Sequence, residues 1–247
     1  VKGFSYKTHS YLGKVEFDKE ILSLIKIDIG NISLSEASTW ADKIKSRKEY
    51  QWTKQLQCSR NENVKDTVEK YCEENCITSA IMEYIFRLKN DRMKLFTFGC
   101  FEYSLSLEES FKFLLHFLQD FSQPLHLIGY DRGGNGFKLI RNRDGRNKTT
   151  NLHFLWDSEI PEYFTNNFVW NTRSIKERKF QDMNEYYDFL LNILKPNKNV
   201  ACDYIYGKYG DNAYIIFEEY FNEEYQRMLF ENYLDLVINT FRFIYAS

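Results

Sequence analysis

His116-Phe-Leu-Gln-Asp120-Phe-Ser-Gln-Pro-Leu-His126 is the stretch on which the fold turns. His116 and Asp120 are four residues apart, so a helix places both on one face, and Pro124 stops that helix just before a second histidine. Upstream, Ser106-Leu-Glu-Glu109 has the pattern of a capping box, and Phe111, Leu114, Leu115 and Leu118 follow at helical spacing. A helix over 106 to about 121 is therefore predicted, with His116 and Asp120 on it. Further on, Asn151-Leu-His153-Phe-Leu-Trp-Asp157 repeats the histidine and aspartate pairing at i, i+4. Imidazole and carboxylate at such spacings build metal sites, zinc sites above all. The two pairs, with His126 between them and His9 as the fourth histidine of the chain, make a candidate polynuclear metal site.

Outward from this run the chain keeps helical periodicity. Helices are predicted over 15–28, 36–47, 63–74, 76–90, 182–194 and 213–245, the last broken near Asn222. Only three prolines and eleven glycines interrupt 247 residues. The expected fold class is mainly α. Between Leu127 and Leu152 the character changes to a glycine-rich and basic segment, read as a loop with a short β-hairpin near Asp144-Gly145. Gly133-Gly-Asn135 reads as a turn. No repeat, low-complexity tract or linker divides the chain, so 1–247 is expected to be one domain.

Composition narrows the functional classes. Apolar residues make up 43% of the chain and aromatic residues 17%, enough for a sizeable core. The formal charge of −2 gives no strong overall field to attract nucleic acid or an anionic membrane, so any phosphate binding must be local. No stretch approaches the roughly 20 consecutive apolar residues of a membrane span. Val1-Lys-Gly-Phe-Ser is too polar for a signal-peptide core, and a leader cleaved before residue 1 would leave no trace. Cys72-Glu-Glu-Asn-Cys76 is spaced to close a small loop, and sequons begin at Asn31 and Asn147. These features favour an oxidising compartment and a secreted or vesicular glycoprotein.

Several segments together resemble a known family. Ser38-Thr-Trp-Ala-Asp42-Lys-Ile-Lys45, Cys76-Ile-Thr-Ser-Ala-Ile81, the run from His116 to His126, Gly133-Gly-Asn135, Asn151 to Asp157 and Ala201-Cys202-Asp-Tyr-Ile-Tyr206 follow one another in the family's order. The chain resembles the zinc-dependent single-strand nucleases and 3′-nucleotidases of fungi and plants, which share a helical fold with bacterial zinc-dependent phospholipase C. The resemblance implies up to three zinc ions in a cleft. Asp120 would bridge two of them, with Asp42 and His116 on the first and His9 on the second, while His126, His153 and Asp157 would hold the third. Asp42, Lys45 and Asp120 are the catalytic residues it implies, with Lys45 near the phosphate. Cys72 with Cys76 and Cys58 with Cys202 are the disulfides it implies, leaving Cys100 free.

The sequence departs from that pattern in two places. Where the family has a zinc-binding histidine, Tyr50-Gln-Trp-Thr-Lys-Gln-Leu56-Gln57-Cys58-Ser59-Arg60 presents Gln57, and a neutral amide is a much poorer zinc ligand than imidazole. Cys58 and Arg60 also replace the residues that stack and read a nucleobase, leaving Tyr50 or Trp52 to supply a platform. The family's amino-terminal residue chelates zinc through its free amine and carbonyl. Here Phe4 occupies that position behind Val1-Lys2-Gly3, so its backbone chelates only if the chain is trimmed.

The resemblance implies a zinc-dependent phosphoesterase acting on single-stranded nucleic acid or nucleotides. Gln57 and Phe4 set an alternative beside it, a catalytically impaired pseudoenzyme that keeps one structural zinc and binds a protein partner. Phospholipase activity is the weakest of the three, since no choline cage is recognisable among the eighteen tyrosines.

Overall fold

The computed structural model describes residues 4–50, 77–90, 105–127, 131–143, 145–165, 175–203, 214–216 and 223–246. In chain order the elements are α1 (Tyr6–Leu12), α2 (Lys19–Ile29), α3 (Leu34–Ile44), α4 (Ile77–Asn90) and α5 (Leu107–Phe121). A 3-10 turn (Pro124–Leu127) and α6 (Asp131–Gly134) lead to strands β1 (Lys138–Arg143) and β2 (Arg146–Asn151). Then come α7 (Leu152–Phe154), a π-type turn (Leu155–Glu159), α8 (Ile160–Thr165), α9 (Met183–Asp203), β3 (Tyr214–Ile216) and α10 (Glu223–Tyr245). The architecture is mainly helical, as the periodicity implies.

α5 is the element around which the others pack. Its start is fixed by the predicted capping box: the Ser106 hydroxyl accepts from the Glu109 amide, and the Glu109 carboxylate accepts from the Ser106 amide. α3 begins the same way at Ser33 and Glu36. From Ser110 to Phe121 every residue of α5 is buried, because α2, α3, α4 and α10 all pack against it. Phe113 and Phe117 stack with Tyr84 of α4, Phe113 meets Trp40 of α3 edge-on, and Phe111 tilts against Phe241 of α10. Each such aromatic side chain contributes about 1.5–3 kcal/mol through burial. The polar residues of α5 are thus carried into the middle of an aromatic core.

The hairpin forms where Asp144-Gly145 marks it. Arg143 pairs with Arg146 across a two-residue turn in which Gly145 takes a φ of 74°, as such turns require. The sheet is larger than a hairpin, however: β3 pairs in parallel with β1, giving the order β2-β1-β3.

Helix boundaries depart from the sequence expectation in several places, and the short helices α6, α7 and α8 have no predicted counterpart. Residues 214–216 form a strand and not a helix, because β1 offers a free edge that three residues suffice to pair; the last helix accordingly starts at Glu223, beside the predicted break. α9 runs through Pro196 to Asp203. A proline removes one backbone donor without forbidding the flanking turns. α1 has no predicted counterpart, being a single short helix capped by the Ser5 hydroxyl on Thr8 N. The predicted helix 63–74 lies outside the described residues.

Candidate metal centre

Four segments deliver the predicted ligands to one region. α1 supplies His9, α3 supplies Asp42 and Lys45, and α5 with the turn after it supplies His116, Asp120 and His126. The run that follows β2 supplies His153 and Asp157. His9, His116, Asp120, His126, His153 and Asp157 are all buried, none more than 5% exposed. They fall into two groups whose ligand atoms lie close enough to share an ion: His9, His116 and Asp120, and His126, His153 and Asp157.

In the first group the two oxygens of Asp120 face different rings. His9 Nε2 is 3.4 Å from Oδ1 and His116 Nε2 is 3.3 Å from Oδ2, the latter across one helical turn as the spacing predicts. The His9 and His116 rings stack at 4.1 Å between centroids. Asp42 stands further out, with Oδ2 3.9 Å from His9 Nε2 and Oδ1 2.6 Å from Lys45 Nζ. Lys45 is therefore ion-paired with Asp42 at the rim of the group.

In the second group His126 Nε2 is 3.4 Å from Asp157 Oδ1 and His153 Nε2 is 2.9 Å from Asp157 Oδ2. His126 Nδ1 lies 4.0 Å from Asp120 Oδ2, so Asp120 joins the two groups.

Supporting contacts orient the rings. His116 Nδ1 donates to Ser38 O at 2.8 Å, and His153 Nδ1 donates to Gly133 O at 2.6 Å. Gln123 Nε2 donates to Asp157 Oδ1 at 2.6 Å. The backbone oxygen of Asp157 accepts from Ser5 N at 3.0 Å and from Thr8 Oγ1 at 3.1 Å, which ties the start of α1 to the second group. Gly133 is more than a turn residue. Its φ is 67°, and a Cβ there would stand 2.7 Å from Leu125 O and 3.3 Å from His153 Nδ1. Only glycine lets the carbonyl approach the ring in that conformation.

The electrostatics of the first group are opposed. Burial, reinforced by the charge of His116, pushes His9 down to about 4. Burial also acts against the charge on His116, yet the Asp120 carboxylate bonded to it and the nearby Asp42 push it up to about 9. Burial would raise Asp120, but His116, His126 and His9 hold its carboxyl well below the usual carboxylate range. A proton thus occupies His116 in competition with any cation that would use its ring nitrogen.

The donor set fits a divalent metal. Nitrogen and oxygen ligands at 2.0–2.2 Å in a tetrahedron stand about 3.3–3.5 Å apart, which is how His9 and His116 stand to Asp120. Among the described residues, three of these buried atoms, His9 Nε2, Asp120 Oδ1 and His126 Nε2, have no hydrogen-bond partner. A buried polar atom left unpaired is costly, and a bound cation is what such atoms await.

Other sequence-predicted residues fare differently. Phe4 is buried with its ring edge-on to His9 at 5.8 Å. The Tyr50 hydroxyl donates to Glu109 at 2.5 Å and its ring meets Trp40 and Phe113. Trp52, Gln57, Cys58, Arg60, Cys72, Cys76, Cys100 and the side chain of Cys202 lie outside the described residues. Both sequon asparagines, Asn31 and Asn147, are exposed. Gln119 and Gln123 were not singled out by sequence, although both stand inside the opening run. Their only signal is a polar residue near a candidate ligand, Gln119 on a helix buried on every side and Gln123 in the bend just after it.

Comparison with known proteins places the chain in a family. A family model described as S1/P1 Nuclease matches residues 11–231. Endonuclease 4 of Arabidopsis thaliana is 34% identical over 140 residues, covering 52% of this chain and 44% of that protein. Endonuclease 1 of the same plant is 27% identical over 214 residues, covering 76% and 67%. Nuclease P1 of Penicillium citrinum is 28% identical over 166 residues, covering 64% and 57%. The chain thus spans less than half the length of Endonuclease 4. With the family match running through α2, α3, α5 and the segment from His153 to Asp157, the chain belongs to the S1/P1 nuclease family.

Proposed function

We propose that this chain is a metal-dependent phosphoesterase that hydrolyses single-stranded nucleic acid or nucleotides, with zinc as its metal. The observation that carries this reading is the pair of buried histidine and aspartate groups joined through Asp120, with three ligand atoms left unpaired. His9, His116, Asp120 and Asp42 would hold the first part of the centre, and His126, His153 and Asp157 the second. When bound, such ions lower the pKa of a coordinated water and neutralise charge on phosphate oxygens.

The chain's own residues set the rest. Asp120 presents one oxygen to each ring of the first group and fixes the distance between them. Ser38 O and Gly133 O hold His116 and His153 with Nε2 inward. Lys45, at the rim, offers a cation to the phosphate once Asp42 turns to the metal. In the net reaction, water adds to phosphorus, the ester P–O bond breaks, and the leaving oxygen takes a proton. Residues 1–247 act as one domain in this reading, secreted or held in a vesicular compartment.

A single experiment tests it: metal analysis of the purified chain together with hydrolysis of single-stranded DNA and RNA. At least two zinc ions per chain and turnover abolished by a chelator are expected. Chelator-insensitive turnover, or no turnover with full metal, contradicts the proposal.

Gln57 supports a second reading, a pseudoenzyme with one structural zinc at His126, His153 and Asp157. One zinc per chain, with activity gained by Gln57→His, is its signature.

A further inference from the structure

Gln119 has no exposed surface and lies between His9 and Tyr233. Its orientation follows from two backbone carbonyls. Tyr233 is also buried, and its hydroxyl donates to Leu12 O at 2.9 Å, so the Tyr233 oxygen is left to accept. Gln119 Nε2 lies 3.3 Å from that oxygen and 3.4 Å from His9 O. Both neighbours require a donor, which places the amide nitrogen at this end and Oε1 at the other.

Gln119 Oε1 is 2.5 Å from His9 Nδ1. An amide oxygen only accepts, so Nδ1 carries the hydrogen; a neutral imidazole has one N–H, and Nε2 is left with a bare lone pair. That lone pair lies 3.4 Å from Asp120 Oδ1, and neither atom has a hydrogen-bond partner among the described residues. Two bare acceptors held face to face in a buried site repel unless a cation lies between them.

We infer that Gln119 and Tyr233 form a positioning relay that sets His9 in its Nδ1–H tautomer and aims Nε2, together with Asp120 Oδ1, at one cation. The tautomer rests on the hydrogen-bond network alone, and the cation rests on the metal-centre reading. His116 and His153 are oriented by backbone carbonyls, which remain when a neighbouring side chain is truncated. His9 is oriented by a side chain, so truncating that side chain releases its alignment. Neither residue of the relay touches substrate or reacting atoms.

The test uses the full chain in two measurements. Nitrogen-15 correlation spectra of the histidine side chains, taken without metal, should show His9 as the Nδ1–H tautomer. Gln119→Leu should lose that form, and Gln119→Glu, whose carboxylate also accepts from Nδ1, should keep it. Zinc titration should then show Gln119→Leu binding roughly 10- to 100-fold more weakly at the His9 group, as loss of an orienting partner does. Affinity at the His126, His153 and Asp157 group should be unchanged, and Gln119→Glu should restore the first. An Nε2–H tautomer in the wild type overturns the relay, as does wild-type zinc affinity at both groups in Gln119→Leu. A wild type that binds no zinc but shows the Gln119-dependent tautomer upholds the relay and removes the metal-centre reading instead. Should Gln119→Leu not fold, loss of the Nδ1–H form in Gln119→Glu overturns the relay just as firmly.

Discussion

The two ligand groups have the same chemical composition, two histidines and an aspartate, but the chain assembles them by different routes. His9 and the His116–Asp120 pair come from α1 and α5, with Asp42 reaching in from α3, so the first group exists only when three helices are packed. His126, His153 and Asp157 come from the turn that ends α5 and from the helical run that begins where β2 stops. The first group is made by the core, and the second by local backbone geometry. The paired atoms differ accordingly. Among the described residues, both His9 Nε2 and Asp120 Oδ1 of the first group lack partners, while in the second His126 Nε2 lacks one and the Asp157 carboxylate is held by Gln123 and by His153. A site made by global packing carries more unmet demand for a cation, and one made locally is closer to complete without it. The two are still coupled, since the Asp157 carbonyl anchors the first turn of α1.

Asp120→Asn should have the largest effect, because it removes the buried charge that pairs with His116 and that the first group offers to a cation. Breaking a buried ion pair from one side costs about 3 to 5 kcal/mol, and that loss should appear in urea unfolding of the metal-free chain. Metal affinity at the first group should fall by more than the roughly 10- to 100-fold seen for outer partners, with hydrolysis abolished. Asp157→Asn should destabilise the metal-free chain less, since Gln123 and His153 still bond the amide. Equal destabilisation by the two variants would dissolve the distinction between the groups.

Gly133→Ala tests the local route. Positive φ alone strains alanine, and here the new Cβ also meets Leu125 O at 2.7 Å, so a cost of about 1 to 3 kcal/mol is expected. Zinc bound by His126, His153 and Asp157 should weaken while the first group keeps its affinity. Gly134→Ala is the control: its φ is 80°, but its Cβ would only touch Leu152 at 3.4 Å, so strain without collision should leave the second group's affinity intact. Matched zinc affinities in the two variants would show that the carbonyl of Gly133 does not orient His153.

The same contrast explains what could be read from the sequence. α5 and the juxtaposition of His116 and Asp120 on it were legible because a capping box, an i, i+4 pair and a following proline are local rules acting on neighbours. The hairpin was legible because Asp144-Gly145 fits a two-residue turn. What escaped depends on distant partners. Gln119 sits on a helix buried on every side, so no periodicity marks which of its polar residues points at α1. β3 is three residues long and exists because β1 lies beside it. α1 is a single short helix whose start is held by Asp157 O as much as by its own cap. Sequence shows the candidate ligands by their chemistry, but which atoms they face is a property of the assembled helices.

Tyr50 gives the smallest and sharpest test of that boundary. On sequence it was a candidate platform for a nucleobase; in the structure its hydroxyl is bonded to Glu109 and its ring is packed on Trp40 and Phe113. If packing is its role, Tyr50→Phe should lose one hydrogen bond, about 1 kcal/mol, and leave turnover and base preference unaltered. The pH dependence has a definite sign. The bond to Glu109, aided by burial and by the Glu109 charge, pushes the Tyr50 phenol up to about 12 from 10.0. The folded chain therefore holds this proton more tightly than the unfolded one, so the contribution is fully present below pH 10 and is lost as pH rises to 12. The stability gap between wild type and Tyr50→Phe should close over that window in denaturant titrations. A variant that instead changes preference among single-stranded substrates, with its stability untouched, would return Tyr50 to the substrate cleft and show that the packing of α3 on α5 does not decide its function.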